Sequence, residues 1–355
     1  MPAYASSDML LLDQWKDAAD KNPMLGFVDS VLSGYGQIAF SDNPLTGLCF
    51  LIGCFVGDFT MGVASIVSVV IATLFAQLLR VPAIALRLGL YGFNAVLAGL
   101  GVVLFIYPGQ GVTAGLLITC GMVAVLCVLL TAALSAFLAP YGSPSLALPY
   151  CMTLFILVPA SLFFLNLSPG TSAPALAVMS QGEAFTWTAG DFVTAFFANM
   201  AEILWQAKPV CGVIYLVGVL FSSRIDGISA VLASAAATIV AIAMGLPASG
   251  ILIGLYGYNA ILLMQVLFGR GFKMSAASFI TCFVLSMITI IIQLWLAAVF
   301  RPLGAPVAAF PYSLVAILAL IGRGPFAKLR YVEPLKWGVP ETIAKELKKE
   351  ETVEL

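Results

Sequence analysis

Glu202 sits in the apolar stretch Asn199-Met200-Ala201-Glu202-Ile203-Leu204-Trp205, and an ionisable group at such a depth is a functional residue by default. Counting back 165 residues reaches Gln37, nearly isosteric with Glu202 and equally able to accept a hydrogen bond from an amide N–H. Two acceptors related by one offset suit a small solute rich in N–H groups and arriving from either side. An aromatic lies three residues beyond each, Phe40 after Gln37 and Trp205 after Glu202. The hexamers Gly89-Leu90-Tyr91-Gly92-Phe93-Asn94 and Gly254-Leu255-Tyr256-Gly257-Tyr258-Asn259, again 165 apart, add Phe93 and Tyr258. Leu97 and Leu262 follow one helical turn onward, on the same face as those rings. A flat gap between aromatic rings would take a planar solute and strip its water, while acceptors at the edge replace the lost hydrogen bonds. The competing structural readings are a carboxylate paired with Lys208, aromatic core packing, and glycines and asparagines that hold neighbouring helices together.

Catalysis finds no such support. The chain has no histidine, hence no imidazole proton shuttle, and it shows no nucleophile–base pair at useful spacing. Cys49, Cys54, Cys120, Cys127, Cys151, Cys211 and Cys282 lack the paired spacing of a zinc site and read as small core residues. No metal or cofactor is expected, and no enzyme. The net charge of -1 and the lack of a dense basic stripe give no reason to expect nucleic acid as a partner. An ammonia channel is a poor fit without pore histidines. A water channel is a poor fit because Asn43-Pro44 is followed by Leu45 and its repeat partner is Lys208-Pro209.

The elements that must hold these residues are membrane helices. Hydrophobic residues make up 61% of the chain and charged ones 9%, with a mean hydropathy of +1.06, far too little charge to cover a soluble globule. Uninterrupted apolar runs favour helices over barrel strands, which would alternate. The lipid bilayer is therefore a partner. The offset of 165 also links Pro44 with Pro209 and Gly47 with Gly212, and it slips to 162 where Pro144, Ala147, Pro149 and Tyr150 match Pro306, Ala309, Pro311 and Tyr312. One fold unit is used twice.

Residues 1–21 form a polar N-terminal segment able to make a surface helix. The first membrane repeat runs over 22–167, an outward linker over 168–191, the second repeat over 192–335, and a tail over 336–355. Met24 to Phe40 is too short to span and reads as re-entrant. Leu45 to Leu79 suits two helices broken near Gly57-Asp58, and further spans are expected over 116–138, 146–167, 275–300 and 306–321. Each half thus holds about five crossings plus a re-entrant piece, and an odd number of crossings inverts the second half. No Lys or Arg occurs from 88 to 207, whereas Arg323, Lys328, Arg330 and Lys336 follow the last span, so the C-terminus, and with it the N-terminus, is expected in the cytoplasm of a multi-pass protein of the inner (plasma) membrane. The fold class is all-α integral membrane, two inverted repeats around one pore per subunit.

Gly36-Gln37-Ile38, Asp42-Asn43-Pro44-Leu45-Thr46-Gly47, both glycine hexamers and Ala201-Glu202 resemble the urea transporter family, in its bacterial branch, over about residues 24–335. The resemblance implies channel-like, facilitative passage of urea or a related small amide, in a homotrimer with one pore per subunit. It makes Gln37 and Glu202 the acceptors, and Phe40, Phe93, Leu97, Trp205, Tyr258 and Leu262 the slot walls. The family signature Leu-Pro-x-x-Thr-x-Pro-Phe reads here Ser143-Pro144-Ser145-Leu146-Ala147-Leu148-Pro149-Tyr150 and Ala305-Pro306-Val307-Ala308-Ala309-Phe310-Pro311-Tyr312. Ala147 and Ala309 thus replace two hydroxyl-bearing residues that would face the middle of the slot, which leaves the choice among urea, short amides and analogues open. A proton-coupled transporter using Glu202 is the alternative.

Overall fold

A computed structural model describes residues 10–164, 185–324 and 328–353, and the helices dominate throughout. Most of the expected linker 168–191 lies outside the described residues. An amphipathic helix α1 (Leu10–Lys21) precedes α2 (Pro23–Gly36), α3 (Pro44–Gly57), α4 (Phe59–Leu78), α5 (Ala83–Arg87), α6 (Phe93–Phe105), α7 (Ala114–Leu138) and α8 (Leu148–Phe164). The second half supplies α9 (Ala189–Ala201), α10 (Pro209–Ser222), α11 (Arg224–Ala243), α12 (Ala248–Leu252), α13 (Tyr258–Leu267), α14 (Ala276–Phe300), α15 (Phe310–Ile321) and the tail helix α16 (Pro340–Val353). No strand occurs among the described residues, only isolated bridges at Phe268–Phe272 and Phe272–Tyr331.

The repeat holds residue by residue. Helices α3, α4 and α5 start 165 residues before α10, α11 and α12, and α7 and α8 start 162 before α14 and α15. The slip falls between α6 and α7 on one side and α13 and α14 on the other, where the second half carries the bridged turn at Phe268–Phe272. The equivalent helices α3 and α10 pack antiparallel. Thr46 Oγ1 donates to the Gly218 carbonyl at 2.7 Å near one end, and Cys211 Sγ donates to the Gly53 carbonyl at 3.5 Å toward the other. Equivalent helices that run in opposite directions require a two-fold axis across them, which is the inverted repeat.

Four helices are long and apolar enough to cross a membrane unaided, namely Phe59–Leu78, Ala114–Tyr141, Arg224–Ala243 and Ala276–Leu303 when their terminal 310 turns are counted. The repeat partners Ile118 and Ile280 leave 65% and 62% of their surfaces exposed on two of them, as side chains facing hydrocarbon do. Two further units are bent pairs, Pro23–Ala39 with Pro44–Gly57 at 79° and Ala189–Leu204 with Pro209–Ser222 at 70°. The expected re-entrant Met24–Phe40 is the first arm of such a pair. Prolines at the start of α3 and α10 set the bend, since they need no N–H there and push their predecessors out of helix.

Helices α8 and α15 begin at Leu148 and Phe310, later than the expected starts at 146 and 306. Leu146 and Ala308 take left-handed torsions, φ 49° and 52°, which no right-handed helix contains. Close approach of backbones replaces the hydrophobic drive that lipid removes. A side chain on Gly47 would meet the Leu32 carbonyl, and one on its partner Gly212 would meet the Phe197 carbonyl. In the hexamers, Gly89 and Gly254 adopt φ 71° and 82° and lie against the backbone of Ser33–Gly34 and of Ala198–Asn199.

Charged groups gather at one face. Asp29, fully buried, accepts from Trp15 Nε1 at 2.7 Å and Lys16 Nζ at 3.1 Å, with Arg87 at 3.7 Å. Lys16 also donates to the Asp42 carbonyl at 2.9 Å, so α1 is fastened to the bend of the first pair. At the same face the carboxylate of Glu341, in α16, accepts from Ser223 Oγ at 2.8 Å and from the Ile225 N–H at 3.0 Å. That carboxylate caps the N-terminal, positive end of α11.

Candidate functional site

Helices α2 and α9 each end in a single 310 turn, Gln37–Ala39 and Glu202–Leu204. The turns close through Phe40 N–H to the Gln37 carbonyl at 3.0 Å and Trp205 N–H to the Glu202 carbonyl at 2.9 Å. Ser41 N–H to Gly36 and Gln206 N–H to Ala201 complete a helix-ending motif whose left-handed position usually belongs to glycine. Here an aromatic occupies it, Phe40 at φ 59° and Trp205 at φ 56°. Such strain persists only where neighbours over-determine it. The Phe40 ring meets Tyr312 edge-on with centroids 6.3 Å apart, and Trp205 meets Phe105 edge-on at 5.2 Å.

Between the two bent pairs lies a narrow cavity of about 10 Å³, room for roughly one water-sized sphere. The structure places Phe93, Leu97, Glu202, Trp205, Tyr258, Leu262 and Ala309 on its wall. Gln37, Phe40 and Ala147 are not on that wall. Gln37 and Phe40 are half-buried and Ala147 is buried, and Phe40 bears on the wall through the Tyr312 ring. A second cavity of about 30 Å³ shares Trp205 and Tyr258 with the first and adds Phe105, Gln293 and Ala308. Those two aromatics therefore stand where the chambers meet.

Four wall residues are not among the expected site residues. Ile38 and Ile203 are repeat partners, as are Tyr150 and Tyr312. The tyrosines take the last position of the octapeptides whose threonines are replaced by Ala147 and Ala309, so the signal that could have found them is the pairing of that substitution with Pro-Tyr. Their hydroxyls reach across the pseudo-axis. Tyr150 Oη accepts from the Ala309 N–H at 2.8 Å, and the Tyr312 hydroxyl meets the Ala147 backbone. Tyr258 Oη donates to the Ala308 carbonyl at 2.5 Å.

Both hexamer asparagines hold backbone. Asn94 Oδ1 accepts from the Tyr150 N–H, and Asn259 Oδ1 from the Tyr312 N–H, each at 3.2 Å. Asn94 Nδ2 reaches the Leu146 carbonyl at 3.3 Å, whereas Asn259 Nδ2 donates to Gln293 Oε1 at 2.9 Å and Gln293 in turn bonds the Leu255 carbonyl. These hydrogen bonds seat the first turns of α8 and α15, and with them the wall tyrosines.

The reading of Glu202 as an ion-pair partner of Lys208 does not hold. Lys208 Nζ donates to the Gly57 carbonyl at 2.6 Å and the Val56 carbonyl at 3.4 Å, at the negative end of α3. Among the described residues no salt bridge involves Glu202. Nor do the described residues contain a group of three or more His, Cys, Asp or Glu side chains placed to hold a metal. The seven cysteines are unpaired, all but Cys49 buried. An acceptor amid rings and leucines, without a salt bridge among the described residues, can take N–H donors from a desolvated solute.

Comparison with known proteins agrees with this geometry. The family model described as "Urea transporter" matches residues 28–324. The urea transporter 1 of Ovis aries is 26% identical over 342 residues, covering 93% of this chain and 87% of its own, and that of Capra hircus gives the same figures. The urea transporter 1 of Mus musculus is 25% identical over 341 residues, with 93% and 87% covered. A match across both bent pairs, both asparagine-seated helices and the cavity between them makes the chain a transport protein of the membrane, not an enzyme, and a member of the urea transporter family.

Proposed function

We propose that this protein is a facilitative, channel-like pathway for urea or a closely related small amide, conducting down the solute's gradient through an aromatic slot. The observation that carries the reading is the unpaired carboxylate of Glu202 on one cavity wall with Phe93, Trp205 and Tyr258. A planar solute entering between those rings loses its water to both faces. Its amide N–H groups then find oxygen at the edge from Glu202 of the second repeat, while Gln37 of the first, off that wall, stands one residue before the wall residue Ile38. Leu97 and Leu262 narrow the flanks, and Ala147 and Ala309 leave the middle without threonine hydroxyls. Binding of this kind is weak enough to permit exit, as conduction requires. The cavity's small free volume means that the rings part as a solute larger than water passes.

The arrangement expected in the cell is a homotrimer, each subunit with its own slot, in the inner (plasma) membrane. Arg323, Lys328, Arg330 and Lys336 follow the last span, so the positive-inside rule puts both termini in the cytoplasm. The test is stopped-flow shrinkage and reswelling of vesicles carrying the purified chain, challenged in turn with urea, formamide, acetamide and thiourea. Rapid urea entry is expected without any sodium or proton gradient. Entry that vanishes when cation gradients are collapsed sinks the reading.

A second reading is proton-coupled transport, favoured by the same lack of an ion-pair partner at Glu202. Glu202→Gln separates the two. A pore keeps urea flux within about threefold, because the amide oxygen still accepts, whereas a carrier that must load a proton loses coupled uptake.

A further inference from the structure

The most deeply buried ion pair described lies beside the slot, not in it. Arg270, 1% exposed, donates Nη1 and Nη2 to the two carboxylate oxygens of Asp226, each at 2.6 Å. The same two nitrogens also donate to backbone carbonyls, Nη1 to Gln265 at 2.8 Å and Nη2 to Phe40 at 3.3 Å, while the buried Nε has no hydrogen-bond partner among the described residues. The guanidinium carbon also stands 5.7 Å from the centroid of the Phe40 ring, within cation–π distance. Arg270 thus holds both the carbonyl and the ring of a residue in a left-handed conformation, φ 59°, and that ring bears edge-on on Tyr312 of the cavity wall.

The grip is one-sided. Asp226, Gln265 and Arg270 all belong to the second repeat, and Phe40 to the first. Met61 occupies the position equivalent to Asp226 in the first repeat, and Trp205, the counterpart of Phe40, rests on Phe105 instead. A pair needed only to hold the helices together would be expected in both halves. Buried ion pairs are also poor sources of stability, since desolvation offsets most of the attraction, and charged side chains at membrane depth mark pathways.

We propose that Arg270 is a positioning residue for Phe40, held in register by Asp226, and that it sets the aperture of the slot at the first repeat's bend. The proposal rests on the conduction reading given above. Removing the grip lets the Phe40 ring swing off Tyr312, so the mouth admits bulkier solutes.

The test uses the full chain in vesicles and reads the ratio of N,N'-dimethylurea to urea permeability, which does not depend on how much protein is folded. The double variant Asp226→Leu with Arg270→Met replaces the charges by apolar groups of similar bulk. Its ratio is expected to rise at least about threefold, in keeping with the weak discrimination of an apolar aperture alone. In a Phe40→Leu background the same pair of changes is expected to leave the ratio where Phe40→Leu put it, because coupled residues are non-additive. Arg270→Lys, which keeps the charge but not the fork, is expected to raise the ratio too and carries the test if the double variant does not fold. An unchanged ratio, or an equal rise with and without Phe40, overturns the positioning role alone. Wild-type vesicles that pass no urea overturn the conduction reading, and the positioning role with it.

Discussion

Phe50 and Tyr215 stack face to face, ring centroids 4.9 Å apart and planes within 6°, although they are one and the same position of the repeat, 165 residues apart. A residue can touch its own repeat partner only where the pseudo-two-fold axis passes. Both rings are fully buried, so α3 and α10 are joined at the centre by this pair. Tyr215→Ala is expected to cost about 3 to 5 kcal/mol. Tyr215→Phe, which keeps the ring but leaves Gln265 Oε1 without its 2.9 Å donor, is expected to cost about 1 to 2 kcal/mol. Thermal unfolding of the detergent-solubilised protein measures both, and equal losses would contradict the stacking account.

Lys208 stands where the first repeat has Asn43, which caps α3 through the Leu45 N–H at 2.9 Å and reaches the Phe221 carbonyl at 2.9 Å. Lys208 keeps the bond to the facing helix end but caps nothing in α10. Lys208→Asn is therefore expected to be neutral or stabilising by about 1 kcal/mol, because the new cap on α10 outweighs or balances the missing charge at the negative end of α3. Lys208→Met is expected to lower stability by about 1 kcal/mol. The order of the two unfolding midpoints is the readout.

Arg80 adopts φ 54° where its partner in the second repeat is Gly245 at φ 67°. A side chain in that region costs about 1 to 2 kcal/mol, and glycine avoids most of it. Arg80→Gly should raise the unfolding midpoint and Gly245→Arg should lower it. A fall for the first substitution would refute the strain at this turn.

Glu341 satisfies the Ser223 hydroxyl and the Ile225 N–H from outside the membrane helices. Glu341→Ala is expected to cost about 1 to 2 kcal/mol as a removed cap and to expose α16 to protease, with cleavage within 336–353 appearing before any other cut. Protection equal to that of the parent chain would show that the tail is held by other groups.

The all-α inverted architecture was legible because lipid imposes long apolar runs and because two copies of the hexamer mark the repeat without any structural knowledge. The cavity-wall aromatics Phe93, Tyr258 and Trp205 on α6, α13 and the second 310 turn stand at doubled positions of the sequence, whereas the first 310 turn puts Ile38 on the wall and not Phe40. Much of what escaped breaks the doubling. Asp226 stands two residues from Arg224 and reads as a helix start, and Arg270 sits in the turn where the offset slips; only the fold brings the pair together across 44 positions. Asp29 escaped likewise, since its three partners come from α1 and Arg87. The true starts of α8 and α15 were hidden because nothing in Leu146 or Ala308 announces a left-handed torsion; the asparagines that fasten the following turn are 50 or so residues away.

The mirrored halves do not end in equal rims. Lys16 clasps the Asp42 carbonyl and Arg270 the Phe40 carbonyl on one side, whereas the second repeat offers Ala207 in place of Asp42 and Thr194 in place of Asp29. Under the passive conduction proposed above, detailed balance forbids such lopsidedness from driving net flow. Its expected consequence is sidedness of block: a plug shaped for the rim braced by Lys16 and Arg270 is expected to stay longer than the same plug presented from the opposite compartment.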